Sequence, residues 1–292
     1  MGTLLAVSVA GRTDEHARHV RGAFEIAARC ERVMSRHNPD SDVSRLNRSA
    51  GTGAEIQGPD LARILRAARG LSRQLEGAFD PTIGPLIEAW RRSARRERAP
   101  SPAAVADARA RVGARTLRIA GDRVSLLVRG ASVDLDGFGK GLALDRIAAR
   151  LRRTRCAPAI LNFGESSLVA VGRPTGRPWS IALRDPRGGF AGAFVLRDRA
   201  CSTSSTFGRP LRARPRVVGD IIDPRTGHAA ACHAQVTVVA RSAAAAEAIS
   251  TALIVLGRGA VDSIAYRMKA EVCWIDDGGI CATPRFGLRR IA

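Results

Sequence analysis

Lysine is nearly missing from this chain: of 47 basic residues only Lys140 and Lys269 are lysines, and all the others are arginines. Rings are scarce too, at 4% of the sequence, which leaves little on which nucleobases could stack. The six cysteines, at 30, 156, 201, 232, 273 and 281, include no Cys-x-x-Cys pair and no zinc-ligand spacing, so they read as small buried side chains. No apolar run approaches the ~20 residues of a membrane-spanning helix. The start, Met1-Gly-Thr-Leu-Leu-Ala-Val-Ser-Val, is too short and uncharged for a signal peptide and reads as a first strand. The chain as given is therefore expected in the cytoplasm, or in the periplasm or on a membrane anchor if a leader has been removed. Neither a Gly-x-Ser-x-Gly elbow, nor a Walker loop, nor a dinucleotide fingerprint occurs.

What is present is ample core material: 292 residues of which 45% are apolar. The formal charge of +20 favours anionic partners in general. The arginines are nevertheless scattered along helices and turns, with Arg91 to Arg98 the longest cluster, a pattern closer to coding bias than to a binding face. No nucleic-acid partner is expected.

Apolar periodicity predicts helices over Glu15 to Arg36, from Pro59 to near Gly77, in a short piece through Trp90, over Lys140 to Arg153 and over 243–256. Residues 91–113 read as a solvated helical excursion. Strands are predicted at Thr116 to Ile119, Arg123 to Val128, Ala159 to Asn162, Ser167 to Val171, Trp179 to Leu183, Ala193 to Leu196, Val217 to Ile222 and Gln235 to Ala240, with a last hairpin turning at Asp276-Asp-Gly-Gly279. With no repeat and no linker, 1–292 reads as a single domain of α+β class with a largely antiparallel sheet core.

Four segments are candidates for chemistry. Asp134-Leu-Asp-Gly-Phe-Gly-Lys140-Gly141 sets a carboxylate, glycines and one of the two lysines at a helix start, where free N–H groups and a compact ammonium suit a pyrophosphate; an ordinary strand-to-helix turn would look the same. Glu247 and Thr251 stand four apart on one helix, a carboxylate and a hydroxyl on one face that suit Mg²⁺, or simply a surface glutamate beside a core threonine. Ser202-Thr-Ser-Ser-Thr206 is either a site or a polar turn, and Asp223-Pro-Arg-Thr-Gly227 reads as turn chemistry.

In order along the chain, these segments resemble the ApbE family, flavin transferases that move FMN from FAD onto a protein hydroxyl. The resemblance rests on Met1-Gly-Thr3, Ser35 to Ser41, Gly77 to Leu86, Asp134 to Asp145, Asn162-Phe-Gly164, Trp179 to Pro186, Ser202 to Phe207, Ile222 to Gly227 and Glu247 to Gly257. It implies a T-fold-type architecture and an FAD clamp made by Met1, Ala78, Phe79, Asp80, Asp134, Lys140 and the strand near Ile221. It also implies Mg²⁺ held by the Gly137 carbonyl, Glu247 and Thr251, and a target flavoprotein as partner. The chain departs from the family pattern at several places. Glu247 replaces an aspartate, His37 stands where a tyrosine stacks on the flavin, and Asp220 replaces the histidine before Ile-Ile-Asp-Pro. Asp136 and Ser205 stand where glycine is common. As proton acceptor the resemblance leaves Asp220 itself, or His228 folded over. The expected activity is FAD:protein FMN transfer with release of AMP, Lys140 and Asp220 being the catalytic pair. The alternatives are hydrolysis of FAD to FMN and AMP, or FAD binding without catalysis.

Overall fold

The computed structural model describes residues 3–10, 14–156, 158–174, 178–208, 210–213 and 216–289. The chain begins with strand β1 (Leu5–Val9) and helices α1 (Asp14–Met34) and α2 (Asp42–Arg48). Strand β2 (Ile56–Gln57), helices α3 (Pro59–Gln74), α4 (Gly84–Ala94) and α5 (Pro102–Arg109), and the hairpin of β3 (Leu117–Ala120) and β4 (Arg123–Leu126) follow. Helix α6 (Gly139–Arg153) leads into a run of strands: β5 (Ala159–Phe163), β6 (Ser167–Val171), β7 (Trp179–Arg184), β8 (Phe190–Leu196), β9 (Ala200–Ser205), β10 (Pro210–Ala213), β11 (Arg216–Gly219) and β12 (Ala234–Ala240). Helices α7 (Ala243–Leu256) and α8 (Val261–Met268) precede the closing hairpin, β13 (Glu271–Asp276) and β14 (Gly279–Ala282).

Seven strands form one sheet in the order β1-β5-β6-β9-β12-β13-β14, every neighbour antiparallel. Strand β12 is buried along its whole length because both faces of the sheet are covered. Val236 and Val238 face the main core, where Leu144, Ile147 and Leu151 of α6 and Ile249 and Leu253 of α7 pack. Val239 faces the other way, toward Leu183, Phe194 and Leu196 of the β7–β8 hairpin. Helix α7 is apolar nearly all round, as a helix sandwiched between a sheet and a second helix must be.

Helices α6 and α7 meet without side chains between them. A Cβ placed on Gly141 would lie 2.4 Å from the carbonyl carbon of Ala243, so only glycine permits this approach. One turn further along α6, the Asp145 carboxylate accepts hydrogen bonds from Ser242 Oγ (2.7 Å), Ala243 N (2.7 Å) and Ala244 N (3.1 Å), closing the N-terminus of α7. Burial pushes this carboxyl above its usual range, and the three donors hold it down. The register of α6 against α7, on which the site depends, is fixed by these contacts.

Most predicted elements are found, within two residues at their ends. The predicted excursion over 91–113 resolves into the end of α4, an irregular stretch and α5. The strand predicted over Val217 to Ile222 ends at Gly219. Helices α2 and α8 were not anticipated. Each is a short helix of seven or eight residues, too brief to show a periodicity. Among the described residues no helix is long and apolar enough to cross a membrane, and all six cysteines are free thiols. Burial pushes Cys201 and Cys273 to about 12, which makes them inert packing groups.

Gly141→Ala is expected to lower stability by about 1–3 kcal/mol or more, because the added methyl meets backbone that cannot move aside. Gly139→Ala, whose Cβ would make ordinary 3.7 Å contact with Met34, should change it far less. Thermal melts of the two variants check this, and equal melting temperatures would remove the argument for close approach.

Candidate active site

A cleft of about 560 Å³ opens where the turns before α4 and α6 face strand β9 and helix α7. Its walls contain His37, Ala78, Phe79 and Asp80 on one side, Asp134, Gly137 and Lys140 on the next, and Asp220, Ile221, Glu247 and Thr251 opposite. Every predicted site residue lies there except Met1, which is outside the described residues, and His228, which does not line the cleft. Two backbone ties hold the walls together. Asp134 N donates to Pro81 O (2.8 Å), and the Asn47 side chain bonds both the N–H (2.7 Å) and the carbonyl (3.0 Å) of Val133.

The lysine singled out by its rarity and the glutamate of α7 form a direct ion pair: Lys140 Nζ is 2.9 Å from Glu247 Oε1. Glu247 is 3% exposed, a burial that an unpaired carboxylate could not sustain. Its other partners are Ser167 Oγ, donating to Oε1 at 2.6 Å, and the N–H of Gly141, donating to Oε2 at 2.9 Å. Helix α6 has no side-chain cap of its own, so Glu247 supplies the anion at that N-terminus from the neighbouring helix. The sequence reading gave Lys140 and Glu247 separate tasks, whereas the fold first gives them to each other.

A hydroxyl ladder continues from this pair. Ser167 Oγ lies 3.3 Å from Ser202 Oγ, and Ser204 Oγ lies 2.8 Å from Ser250 Oγ and 3.3 Å from Thr251 Oγ1. These side chains come from β9, not from a polar turn: Ser202 and Ser204 face the helices, while Thr203 turns the other way to Thr237 Oγ1 at 2.8 Å. The sequence leaves Ser202 to Thr206 open between a site and a polar turn because a strand of hydroxyls has no apolar alternation, and Ser167, at the start of the predicted strand β6, is not singled out at all.

The opposite wall is ionic as well. Arg36 Nε lies 3.0 Å from Asp134 Oδ2 and 3.6 Å from Asp136 Oδ2, and Arg91 reaches Asp136 at 3.9 Å. Desolvation pushes the Asp134 carboxyl up to about 6, the Asp136 charge adds to the rise, and Arg36 opposes it. Asp80 is raised in the same way by burial, although Thr82 donates to it from both N (2.8 Å) and Oγ1 (2.6 Å). Phe79 and Phe138 pack at 6.3 Å between ring centroids and give the cleft an apolar floor.

The donors near Thr251 are all oxygens. A Cβ on Gly137 would fall 3.4 Å from Thr251 Oγ1, so the backbone before α6 runs beside the hydroxyl that shares a helix face with Glu247. Glu247 Oε2 accepts only one hydrogen bond and keeps capacity for another partner. Among the described residues no group of three or more His, Cys, Asp or Glu that could hold a metal ion occurs; the carboxylate of Glu247 and the hydroxyl of Thr251 are hard oxygen donors, unlike the Cys and His of zinc sites.

Fold and cleft together define an α+β protein with a half-buried lysine paired to a buried carboxylate in a cleft lined by acids, hydroxyls and arginines. The chain belongs to the ApbE family, whose model matches residues 1–274. An FAD:protein FMN transferase of Rhodobacter capsulatus is 33% identical over 99% of this chain, which spans only 56% of that relative's length. The enzyme of the same name from Haemophilus influenzae is 27% identical over 82% of this chain and 72% of its own. Among solved structures, the ApbE protein of Thermotoga maritima superposes with a TM-score of 0.87 at 26% identity, covering 98% of this chain and 95% of that one. Flavin transferase ApbE from Vibrio cholerae gives 0.85 at 25% identity with the same coverage.

The raised Asp134 carboxyl has a defined pH signature. Its folded value, about 6, exceeds the ordinary 3.8, so its contribution to stability is complete below 3.8 and is lost as pH rises through 6. Asp134→Asn, which does not titrate, should therefore gain on the wild type by at least ~2 °C in Tm between pH 4.5 and pH 7.5. Parallel melting curves at both pH values would show that Asp134 is not held in a desolvating site.

Proposed function

We propose that this chain is an FAD:protein FMN transferase, acting on a Ser or Thr hydroxyl of a separate flavoprotein and releasing AMP. The observation that carries the reading is the Lys140–Glu247 pair at the base of a cleft that gathers the remaining expected flavin-clamp residues. The names of the relatives point the same way.

In this reading the FAD lies along the cleft, with His37 and Phe79 against its flat ring and Ala78, Asp80, Asp134 and Ile221 around the rest. Lys140, on a flexible stem at the second residue of α6, swings from Glu247 toward the bridging phosphates and offsets their charge. Asp220 takes the proton of the incoming hydroxyl, whose oxygen bonds to the FMN phosphorus as the phosphorus–oxygen bond to AMP breaks. AMP departs with that electron pair. The Gly137 carbonyl, Glu247 and Thr251 would hold Mg²⁺, which when bound supplies further neutralisation of phosphate charge. Buried Ser167, braced by Ser202, keeps Glu247 oriented while Lys140 moves. No covalent intermediate with the enzyme is needed; positioning and electrostatics lower the barrier.

Incubation with FAD, Mg²⁺ and a candidate flavoprotein should leave FMN attached to the acceptor by mass spectrometry, with AMP released only when the acceptor is present. AMP release at full rate without any acceptor would make the protein a hydrolase instead. Lys140→Ala should cut turnover by ~10²-fold or more, whereas Lys269→Ala, at the end of α8 and outside the cleft, should leave it unchanged. If the two lysine variants behave alike, the role given to Lys140 is wrong.

A further inference from the structure

Beside the cleft lies a second depression of about 640 Å³, and Asp80 and Pro224 line both. Ala106, Ala110, Val112 and Ala114 give it an apolar lining, and arginines 109, 115 and 225 stand around it, Arg225 already paired with Asp223 at 3.0 Å. Arg109 and Arg115 are exposed. The same stretch of chain, residues 84–116, carries eight arginines against three acids, including the cluster from Arg91 to Arg98. This segment is held rigid. Trp90 Nε1 donates to Gly227 O at 2.8 Å, and Leu86, Trp90 and Val105 share one small core with Ile222, which itself lines the cleft. A basic face is thus braced directly against the wall of the candidate active site.

We propose that this face, with the depression between α5 and the Pro224–Arg225 turn at its centre, docks an acidic segment of the protein that accepts the flavin. The proposal rests on the reading of the chain as a transferase to a protein hydroxyl. A transferase of this kind needs a surface for the acceptor beside the nucleotide, and an extended peptide in the depression would reach the cleft within a few residues at ~3.3 Å each. The apolar lining suits small apolar side chains, and Arg109 and Arg115 supply bidentate partners for carboxylates. A nucleic acid fits the face poorly, because Trp90 is the only aromatic residue in 84–116 and it is buried, so nothing there can stack on a base.

The test uses the full chain loaded with FAD and two fluorescent peptides of equal length, each with a central serine, flanked in one by glutamates and in the other by glutamines. Fluorescence anisotropy reads binding whether or not transfer follows. The glutamate peptide should bind more tightly, and Arg109→Glu with Arg115→Glu should weaken it by ~10-fold or more. The same charge change at Arg152 and Arg153, exposed at the end of α6 and lining neither cavity, should shift it less than ~2-fold. FAD affinity, from quenching of flavin fluorescence, should be equal in all variants. Equal loss in both double variants, no loss in either, or a single-stranded DNA of equal charge competing as well as the peptide would each overturn the docking surface. Failure to find FMN on any acceptor would instead overturn the transferase reading, and the two failures are read from different signals.

Discussion

The structure turns on the contact between α6 and α7 at Gly141. Because no side chain separates the helices there, the N–H of Gly141 can point at the carboxylate of Glu247, and Lys140, one residue earlier, reaches the same carboxylate from the side. Moving either helix by the thickness of a methyl group would unmake all three relations. The Asp145 cap on α7 is the second fastening of the same joint, so two acids from different helices each close the other helix's open end. The site's geometry is therefore a consequence of how two helices pack, before any ligand is considered.

Charge balance follows from that packing. A chain with an excess of 20 positive charges might be expected to present a plainly cationic cleft, yet its walls hold Asp80, Asp134, Asp136, Asp220 and Glu247 against Arg36, Arg91 and Lys140. Each of the three cations has an acidic partner, and Lys140 can leave a carboxylate as buried as Glu247 for a phosphate oxygen only if another cation takes its place there. An unpaired cluster of cations would repel itself and drift apart. The acids in such a cleft preorganise the bases, and Asp134 bears the electrostatic strain of doing so.

Legibility in the sequence divided along physical lines. Lys140 was visible because it is one of two lysines, and Glu247 with Thr251 because a spacing of four on an Ala-rich helix places both on one face. The long helices and most strands were visible through their apolar period. Their mutual contact was not, since no local pattern tells which two helices will cross, and the small residue that allows it, Gly141, looks like any glycine at a helix start. Strand β9 hid for the opposite reason. Its inward face is made of Ser202 and Ser204, satisfied by Ser167, Ser250 and Thr251, and hydroxyls buried against hydroxyls carry none of the hydrophobic alternation by which strands are recognised.

That polar strand also accounts for how a glutamate fits at position 247 of α7. A longer side chain at 247 extends toward β6 and β9, where Ser167 donates to it at 2.6 Å, and toward the start of α6. The carboxylate is fixed from three sides, by Ser167 on the sheet, by the Gly141 N–H and by Lys140. Glu247 and Ser167 thus act as one unit, the hydroxyl of Ser167 being itself braced by Ser202. The tuning of the cleft lies as much in this buried serine, which touches no open space, as in the charged groups that line it.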